Sequence, residues 1–528
     1  MSRFNTADSK TKRTVGILTA ERPDALTHEG APGFTHDARG ELFLSAVSSF
    51  TSNSFYENET ARSDRQRTLL SEVALKHPEW LLSFLRWLRH DAGIRTNALT
   101  LAADAVWLRL QAKVTESEGI NRKLISAVLA RMDEPGEMLA YWTSTYGKAI
   151  PKPVKRGVAD AVVDLLAEYS FLKYDSKNAA FRIGDVIELT HPCPSSPSQG
   201  ALFEYAIGVR HGREDLDVSR LPKIKARNNL RALTPADIHQ LAADGLLVEH
   251  LRLSGMTWEA VPSLVNGPWT RDLWQAVLPQ LGVMAAIRNA RNLDEAGITT
   301  KALAPLFAKL ADPEQVRRFR VMPMRFYAAY KAVSNVRWHA PLEAALQHSL
   351  SNVPALGGNT LILVDRSGSM FGRVSDRSEL TWADSAALFG SALALRAEKA
   401  TLVEFGTSSN EITVPKGGSV LPLMSRFTSL GGTYTVTALE RHLRPGHTRV
   451  VILTDEQNYG GYYHTPNTPG DVVPKNVPLH TFNLAGYRSA HTAGTANRYW
   501  YGGLTDASWP LLRWNEEASE GFWPWLPF

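Results

Sequence analysis

The stretch Asn359-Thr360-Leu361-Ile362-Leu363-Val364-Asp365-Arg366-Ser367-Gly368-Ser369-Met370 decides the fold. Thr360 to Val364 is a short, branched, apolar run, the pattern of a strand buried on both faces of a parallel sheet. The run ends in Asp365, Ser367 and Ser369. Alternate residues of a strand entering a tight turn can aim at one point above the sheet edge. One carboxylate and two hydroxyls are hard oxygen ligands, suited to a Mg²⁺ ion that keeps some of its waters. Gly368 gives the turn its backbone freedom.

Two later stretches complete the predicted site. Leu430-Gly431-Gly432-Thr433 is a loop before a helical pattern, and it adds a hydroxyl. Val450-Val451-Ile452-Leu453-Thr454-Asp455 is a second buried-strand run that ends in a carboxylate. Such runs finish at the C-terminal edge of the sheet, where ligands sit in open α/β folds. Two alternatives stand beside this reading. Ser367 and Ser369 could only cap the next helix, with Asp455 as an N-cap. The site could also form yet serve only to hold its loops.

The pattern Asp365-x-Ser367-x-Ser369, then Thr433, then Asp455, resembles the metal-ion-dependent adhesion site of von Willebrand factor A domains. All five positions are filled in the expected order. The resemblance implies a divalent metal, Mg²⁺, held by these five residues, some of them through water. An open coordination position would accept a carboxylate from a partner protein.

Around this stretch, Pro354 to Gly358 reads as a linker, and after it strands and helices alternate. Helices are predicted over 380–398, 436–443 and 508–517, and strands over 400–405, 449–454 and 479–484. That predicts a doubly wound parallel sheet with helices on both faces. The tail, 521–528, is rich in Trp and Pro and is expected to pack back on the helical region, since loose aromatics would form an exposed patch.

Before the linker almost everything reads helical. Apolar residues fall three and four apart over 65–75, 79–90, 97–111, 123–131, 157–169, 185–189, 235–245, 272–278 and 300–310. The helices are uneven and show no clean period, which predicts a degenerate helical repeat array. Residues 1–40 read as a polar arm. The expected division is therefore 1–40, 41–353 and 354–528.

With 528 residues the chain can hold two or three domains, and its 44% hydrophobic content is ordinary for a globular protein. No apolar run approaches the ~18 to 20 residues that span a bilayer, so no membrane partner is expected. The polar N-terminus predicts no secretory signal. The single cysteine, Cys193, fits a reducing cytosol. A net charge of +5 is mild for this length, so clustering of charge matters more than its total.

Helical repeats followed by such a domain resemble the TROVE family, the Ro ribonucleoproteins and their bacterial orthologues. Asp91-Ala92-Gly93-Ile94-Arg95-Thr96 is similar to the family's turn before an early helix. Gly282 to Asn289 is similar to its Met-(Ala/Thr)-x-x-Arg-Asn-Leu helix, and Met324 to Lys331 to its Pro-Phe-x-Phe-x-x-Ala-Tyr stretch. The resemblance implies a ring of HEAT-like helical repeats closed by the A domain. It further implies a cytoplasmic monomer that binds small structured Y-like RNA on a basic outer surface. Single-stranded 3′ ends of misfolded non-coding RNA would enter a central hole, with a 3′-to-5′ exoribonuclease as partner in processing or decay.

Read from the residues alone, three basic clusters could neutralise phosphates. The first is Lys152, Lys155 and Arg156; the second, Arg220, Lys223, Lys225, Arg227 and Arg231, holds five cations and no acid. Lys173 and Lys177 precede His191 in the same region. The family's Y-RNA contacts involve a Lys/Arg pair and a His, and Lys173, Lys177 and His191 are the matching positions. Asn228, Asn229 and His211 could add hydrogen bonds to bases or sugars. Each cluster could equally be a solvated face, and His191 a helix C-cap. Arg288 and Asn289 could line the hole or cap a neighbouring helix.

The function expected is a non-enzymatic RNA-binding scaffold. A metal-dependent adhesion or assembly module without RNA is one alternative. A Mg²⁺-dependent nuclease is another, but two-metal nucleases need several carboxylates around their ions, and this motif offers two, with Glu456 the only further acid nearby. No phosphate-cradling Gly-x-x-x-x-Gly-Lys-(Ser/Thr) loop is present, which argues against an ATPase. One cysteine rules out a Cys-rich zinc cluster.

Overall fold

The computed structural model describes residues 38–48, 59–114, 119–265, 267–374, 379–455, 468–484, 497–502, 508–519 and 523–525. From Ala38 to Asn352 every described element is a helix. The first ten are α1 Ala38–Ser48, α2 Glu59–Lys76, α3 Pro78–His90, α4 Arg95–Gln111, α5 Ile120–Ser126, α6 Glu134–Tyr146, α7 Lys152–Leu165, α8 Glu168–Tyr174, α9 Ile183–Thr190 and α10 Pro197–Arg210. The next ten are α11 Pro222–Arg231, α12 Pro235–Ala243, α13 Leu247–Leu253, α14 Arg271–Val277, α15 Val283–Arg288, α16 Ala290–Glu295, α17 Thr300–Ala311, α18 Pro313–Phe319, α19 Pro323–Ala332 and α20 His339–Ser349.

Local chemistry sets these boundaries. In α3, Pro78 occupies the first turn, Glu79 faces the positive helix end, and Arg89 and His90 face the negative end. Leu81, Phe84, Leu85 and Leu88 fall three and four apart and are buried. In α12, Thr234 and Asp237 exchange capping hydrogen bonds.

Two predicted helices end differently. The helix expected over 123–131 stops at Ser126, because the Glu134 carboxylate takes the backbone N–H groups of Ala130 and Arg131 at 2.7 and 3.0 Å. The helix expected over 157–169 breaks at Leu166, where Ser170 Oγ accepts from the Ala167 N–H at 2.9 Å and starts α8. The predicted arm, 1–40, lies outside the described residues except for Ala38 to Gly40, which open α1.

The sheet has the strand order β3-β2-β1-β4-β5-β6. Its strands are β1 Leu356–Asp365, β2 Ala397–Phe405, β3 Ser409–Ile412, β4 Arg449–Thr454, β5 Leu479–Asn483 and β6 Arg498–Gly502. The pairings β1–β2, β1–β4, β4–β5 and β5–β6 are parallel. The expected doubly wound parallel sheet is present, and it carries one element the sequence reading did not include: β3, an antiparallel edge strand hairpinned to β2. The helices of this half are α21 Trp382–Arg396, α22 Val420–Met424, α23 Thr435–His442, α24 Pro469–Val472 and α25 Ser508–Ser519.

Both faces of the sheet are covered. Leu361, Leu363, Val450, Ile452 and Leu479 meet Leu439 of α23 and Val473 beyond α24. On the other face Ile362, Val364 and Phe482 meet Phe389 of α21 and Trp509 of α25. A Cβ on Gly390 of α21 would lie 2.6 Å from Val364 Cγ2, so glycine is what lets α21 pack this close to β1.

The sheet domain touches both ends of the helical array. At the far end, Tyr327 of α19 donates to Asp384 at 3.2 Å, and Gln347 of α20 bonds Gly418 and Val420. At the near end, Trp87 of α3 meets Trp514 of α25. Trp523 and Trp525 pack on Trp80, Phe84 and Phe43, so this described part of the tail does fold back. The helices and the sheet domain thus form a closed circuit. No described helix is long and apolar enough to cross a membrane.

Candidate metal centre and nucleic-acid surface

Strands β1 and β4 are neighbours at the point where the strand order reverses, the topological position at which open α/β sheets bind ligands. Asp365 ends β1 and Asp455 follows the last residue of β4. Asp365 is fully buried. Its Oδ1 accepts from the Ser367 N–H at 2.8 Å, and its Oδ2 accepts from the Thr454 hydroxyl at 2.6 Å. The hydroxyls of Ser367 and Ser369 lie 3.2 Å apart, with Ser367 buried and Ser369 exposed.

The loop bearing Thr433 is clamped to the Asp-Ser loop by backbone bonds. Leu430 N–H donates to Arg366 O at 2.9 Å and Gly368 N–H to Gly431 O at 2.7 Å. Gly431 has φ 78°, a left-handed conformation that glycine adopts without strain, and the Gly432 N–H reaches Thr407 Oγ1 at 2.8 Å. Thr433 and Asp455 are both buried.

Burial pushes the Asp365 carboxyl up to about 6, and the Asp455 charge pushes the same way against the hydrogen bonds from Thr454 and Ser367. Asp365 closes β1, and Ser367, Ser369, Thr433 and Asp455 lie in the segments that follow strand ends or join helices beside it. Two buried carboxylates and three hydroxyls would offer only oxygen donors, and a cation would relieve the cost of ionising buried Asp365. The set fits a hard divalent ion such as Mg²⁺. Among the described residues no group of three or more His, Cys, Asp or Glu is placed to hold a metal. Glu456 lies outside the described residues.

Sequence reasoning missed two supports of this site. Thr454 fixes the orientation of Asp365. Arg366 is buried and holds two segments by donating to Thr428 O at 2.7 Å and Ala383 O at 3.0 Å. Its guanidinium lies 4.9 Å from the Phe371 ring centroid. The alternation in the Asp-x-Ser-x-Ser stretch could have signalled that Arg366 points away from the ligands.

The basic candidates fall on helix ends and turns. Lys152, Lys155 and Arg156 occupy the start of α7, whose first turn holds no acid. Lys173, at the end of α8, is exposed and lies over the rings of Tyr169 and Tyr174 at 5.6 and 5.3 Å. Lys177 is exposed in the following turn. His191 is exposed, caps α9 at φ 50°, and donates its backbone N–H to Ile187 O. Arg220, Lys223, Lys225 and Arg231 are exposed on or beside α11. Helices α8 and α11 adjoin, since the Ile224 N–H reaches Glu168 at 2.9 Å.

Arg227 corrects the sequence reading. It shares the inner face of α11 with Ile224 and Leu230 and is buried. Its guanidinium donates to Leu172 O and Gly255 O, both at 3.0 Å, so it pins three segments together. Asn289 is also internal, donating to Ala285 O and accepting from Asn292, while Arg288 is exposed. Of the residues weighed for added hydrogen bonds, His211 already contacts Glu188 at 2.9 Å.

Residues 251–382 match the family model of the TROVE domain. That segment, a quarter of the chain, is similar to the TROVE domain. The matched segment runs from α13 through the last helices of the array, across β1 and the Asp365 loop, into α21. It includes two of the three helical stretches whose wording resembles the family. The chain is similar to the crystal structure of the Deinococcus radiodurans Ro (RSR) protein, with TM-score 0.68 and 18% identity over 91% of this chain and 99% of that one. The fold of helical repeats and sheet domain is therefore shared along nearly the whole chain, TROVE segment included. No curated protein matches by sequence.

Proposed function

We propose that this chain is an RNA-binding scaffold of the Ro type, and that it holds RNA without cutting it. The observation that carries this reading is a TROVE-like segment set within a fold like that of a Ro protein over nine-tenths of the chain. Exposed cations at the starts and ends of α7, α8 and α11 support it, because such positions offer Lys and Arg to phosphates with little choice of sequence. Structured Y-like RNA would lie along Lys173, Lys177, His191 and the α11 cations. Single-stranded 3′ ends would enter the space inside the closed circuit, and a 3′-to-5′ exoribonuclease is the natural partner. The protein acts as a monomer in the cytoplasm.

At the sheet edge, Asp365, Ser367, Ser369, Thr433 and Asp455 would hold Mg²⁺, which when bound supplies a coordination position for a carboxylate of a partner protein. The Thr454 hydroxyl and the Ser367 N–H orient Asp365 for that role, and the Leu430–Arg366 and Gly368–Gly431 bonds keep the two loops in register. With two carboxylates among the described donors, the site offers ligand completion rather than two-metal hydrolysis.

The test is a salt titration of affinity for a small structured RNA, with and without Ala at Lys173, Lys177 and His191. Loss of affinity with a salt slope shallower by roughly 0.7 to 0.9 per phosphate contact removed is expected. Unchanged affinity and slope would move the RNA surface elsewhere.

A further inference from the structure

Arg67, Trp107 and Tyr146 form a column of flat groups on α2, α4 and α6. The Trp107 and Tyr146 rings stack with centroids 5.0 Å apart and planes at 13°. The Arg67 guanidinium carbon lies 4.6 Å from the Trp107 ring centroid. The foot of the column is fixed. Tyr146 and Tyr141 both donate to Asp104 Oδ1, at 2.7 and 2.6 Å, and buried Trp142 packs on Tyr146. Trp107 is half-buried, whereas Arg67 is exposed.

Arg67 differs in one respect from most arginines in this part of the fold. Arg89, Arg95, Arg122 and Arg131 all pair with carboxylates. Among the described residues, the Arg67 guanidinium has Trp107 beneath it and no hydrogen-bond or ion-pair partner for its in-plane N–H groups. A planar cation already held over an aromatic ring loses little freedom when another flat group stacks on it. Its in-plane donors remain able to meet a phosphate or the acceptor edge of a base.

The chain that follows the column's last ring is also basic. After Tyr146 come exposed Lys148, then exposed Lys152 and Arg156 at the start of α7. The Trp142 indole N–H donates to Ala149 O at 3.2 Å and ties this loop to the column. Stacking planes interleaved with cations are the means by which proteins hold single-stranded nucleic acid.

We propose that the Arg67–Trp107–Tyr146 column is a seat for one unpaired nucleotide of an RNA strand. The base lies flat on the outer face of Arg67, and the flanking phosphates meet Lys148, Lys152 and Arg156. This proposal rests on the RNA-binding reading and adds to it a stacking site on the first repeats.

The test compares two fluorescently labelled strands of equal length, one single-stranded RNA and one with the bases removed, by anisotropy against the full chain. Wild type binds the base-bearing strand more tightly. Arg67→Lys keeps the charge and loses the plane. It is expected to weaken the base-bearing strand roughly tenfold and leave the abasic strand unchanged. Arg67→Ala weakens both strands, and neither variant shifts the melting temperature, because Arg67 is exposed. If Arg67→Lys binds the base-bearing strand as wild type does, the seat is wrong. If structured RNA still binds through the Lys173 surface in that case, only the seat falls. If wild type binds neither strand nor structured RNA, the seat and the RNA-binding reading fall together. Binding of an acidic peptide in place of RNA at Arg67 would likewise overturn the proposal.

Discussion

Trp87 and Trp514 meet edge to face, with ring centroids 4.7 Å apart and planes at 75°. Trp87 belongs to α3 and Trp514 to α25, so this pair joins helices from opposite ends of the chain. Trp525 packs against the same group, 5.6 Å from Trp87 and 5.5 Å from Phe84. Aromatic burial of this kind is non-directional in its driving force but geometrically selective, which suits a seam that must close in one register. Trp87→Ala is therefore expected to cost about 3 to 5 kcal/mol in unfolding experiments. Hydrogen exchange should quicken in both α3 and α25. Faster exchange in α3 alone would mean that the two ends do not depend on each other.

Beneath α25 lies a buried polar chain. Arg449 makes paired bonds to both oxygens of Glu516, and His480 contacts Glu516 at 2.8 Å and Tyr501 at 2.9 Å. Tyr501 accepts from Asn515 at 2.7 Å. That arrangement assigns a neutral His480 that donates from Nε2 and accepts at Nδ1, and burial keeps its pKa below the ordinary value. Burial alone would raise the Glu516 carboxyl, but Arg449 above all, with His480, holds it down at about 2. A carboxyl depressed in the folded state stabilises above its unfolded value of 4.5, and that contribution is lost as pH falls toward 2. Glu516→Gln should destabilise the protein by about 3 to 5 kcal/mol at neutral pH, because Arg449 is left without its counter-charge. It should also flatten the stability profile below pH 4.5, and an unchanged acid limb would rule out this latch.

Asp365 shifts the other way. Its folded value of about 6 lies above the unfolded 3.8, so its contribution favours folding below 3.8 and is lost as pH rises through 6. A cation bound to the ionised form reverses that loss. Mg²⁺ should raise the melting temperature at pH 7.5 and do so much less at pH 5, and Asp365→Asn should abolish the response. Equal Mg²⁺ effects at both pH values, or a response that survives Asp365→Asn, would exclude this site as the metal centre.

What the chain revealed in advance follows from where the constraints sit. Asp365, Ser367 and Ser369 are adjacent in sequence and bound to a buried strand, so their convergence could be read from alternation alone. The Trp87–Trp514 pair could not, because nothing local specifies which distant aromatics meet. Strand β3 is four residues, Ser409 to Ile412, with polar residues at an edge, and it carries too little pattern to be distinguished from a turn. The break at Leu166 escaped because the apolar spacing continues through it, and a single hydroxyl on Ser170 decides the matter. Arg227 sits in a run of cations that reads as a basic surface, yet its three-residue spacing with Ile224 and Leu230 puts it on the buried face of α11.

That correction has its own test. Burial, with Arg231 beside it, lowers the Arg227 pKa to about 10, so Arg227 stays charged at neutral pH and its two carbonyl bonds are charge-assisted. Arg227→Ala should lower stability by about 1.5 to 3 kcal/mol or more and leave the RNA salt slope unchanged. Lys223→Ala and Arg231→Ala should do the reverse, with stability within about 0.5 kcal/mol of wild type and a shallower slope. Equal slopes in all three variants would remove α11 from the RNA surface.

The most direct measurement is the affinity of the purified full chain, in dilute salt with Mg²⁺, for a labelled small structured RNA that ends in a single-stranded 3′ tail, with the RNA recovered afterwards and sized. Tight binding that weakens steeply with added salt, and RNA recovered at full length, is the result expected. A chain that ignores this RNA in dilute salt, or returns it shortened in a manner that Asp365→Ala abolishes, would contradict the scaffold reading.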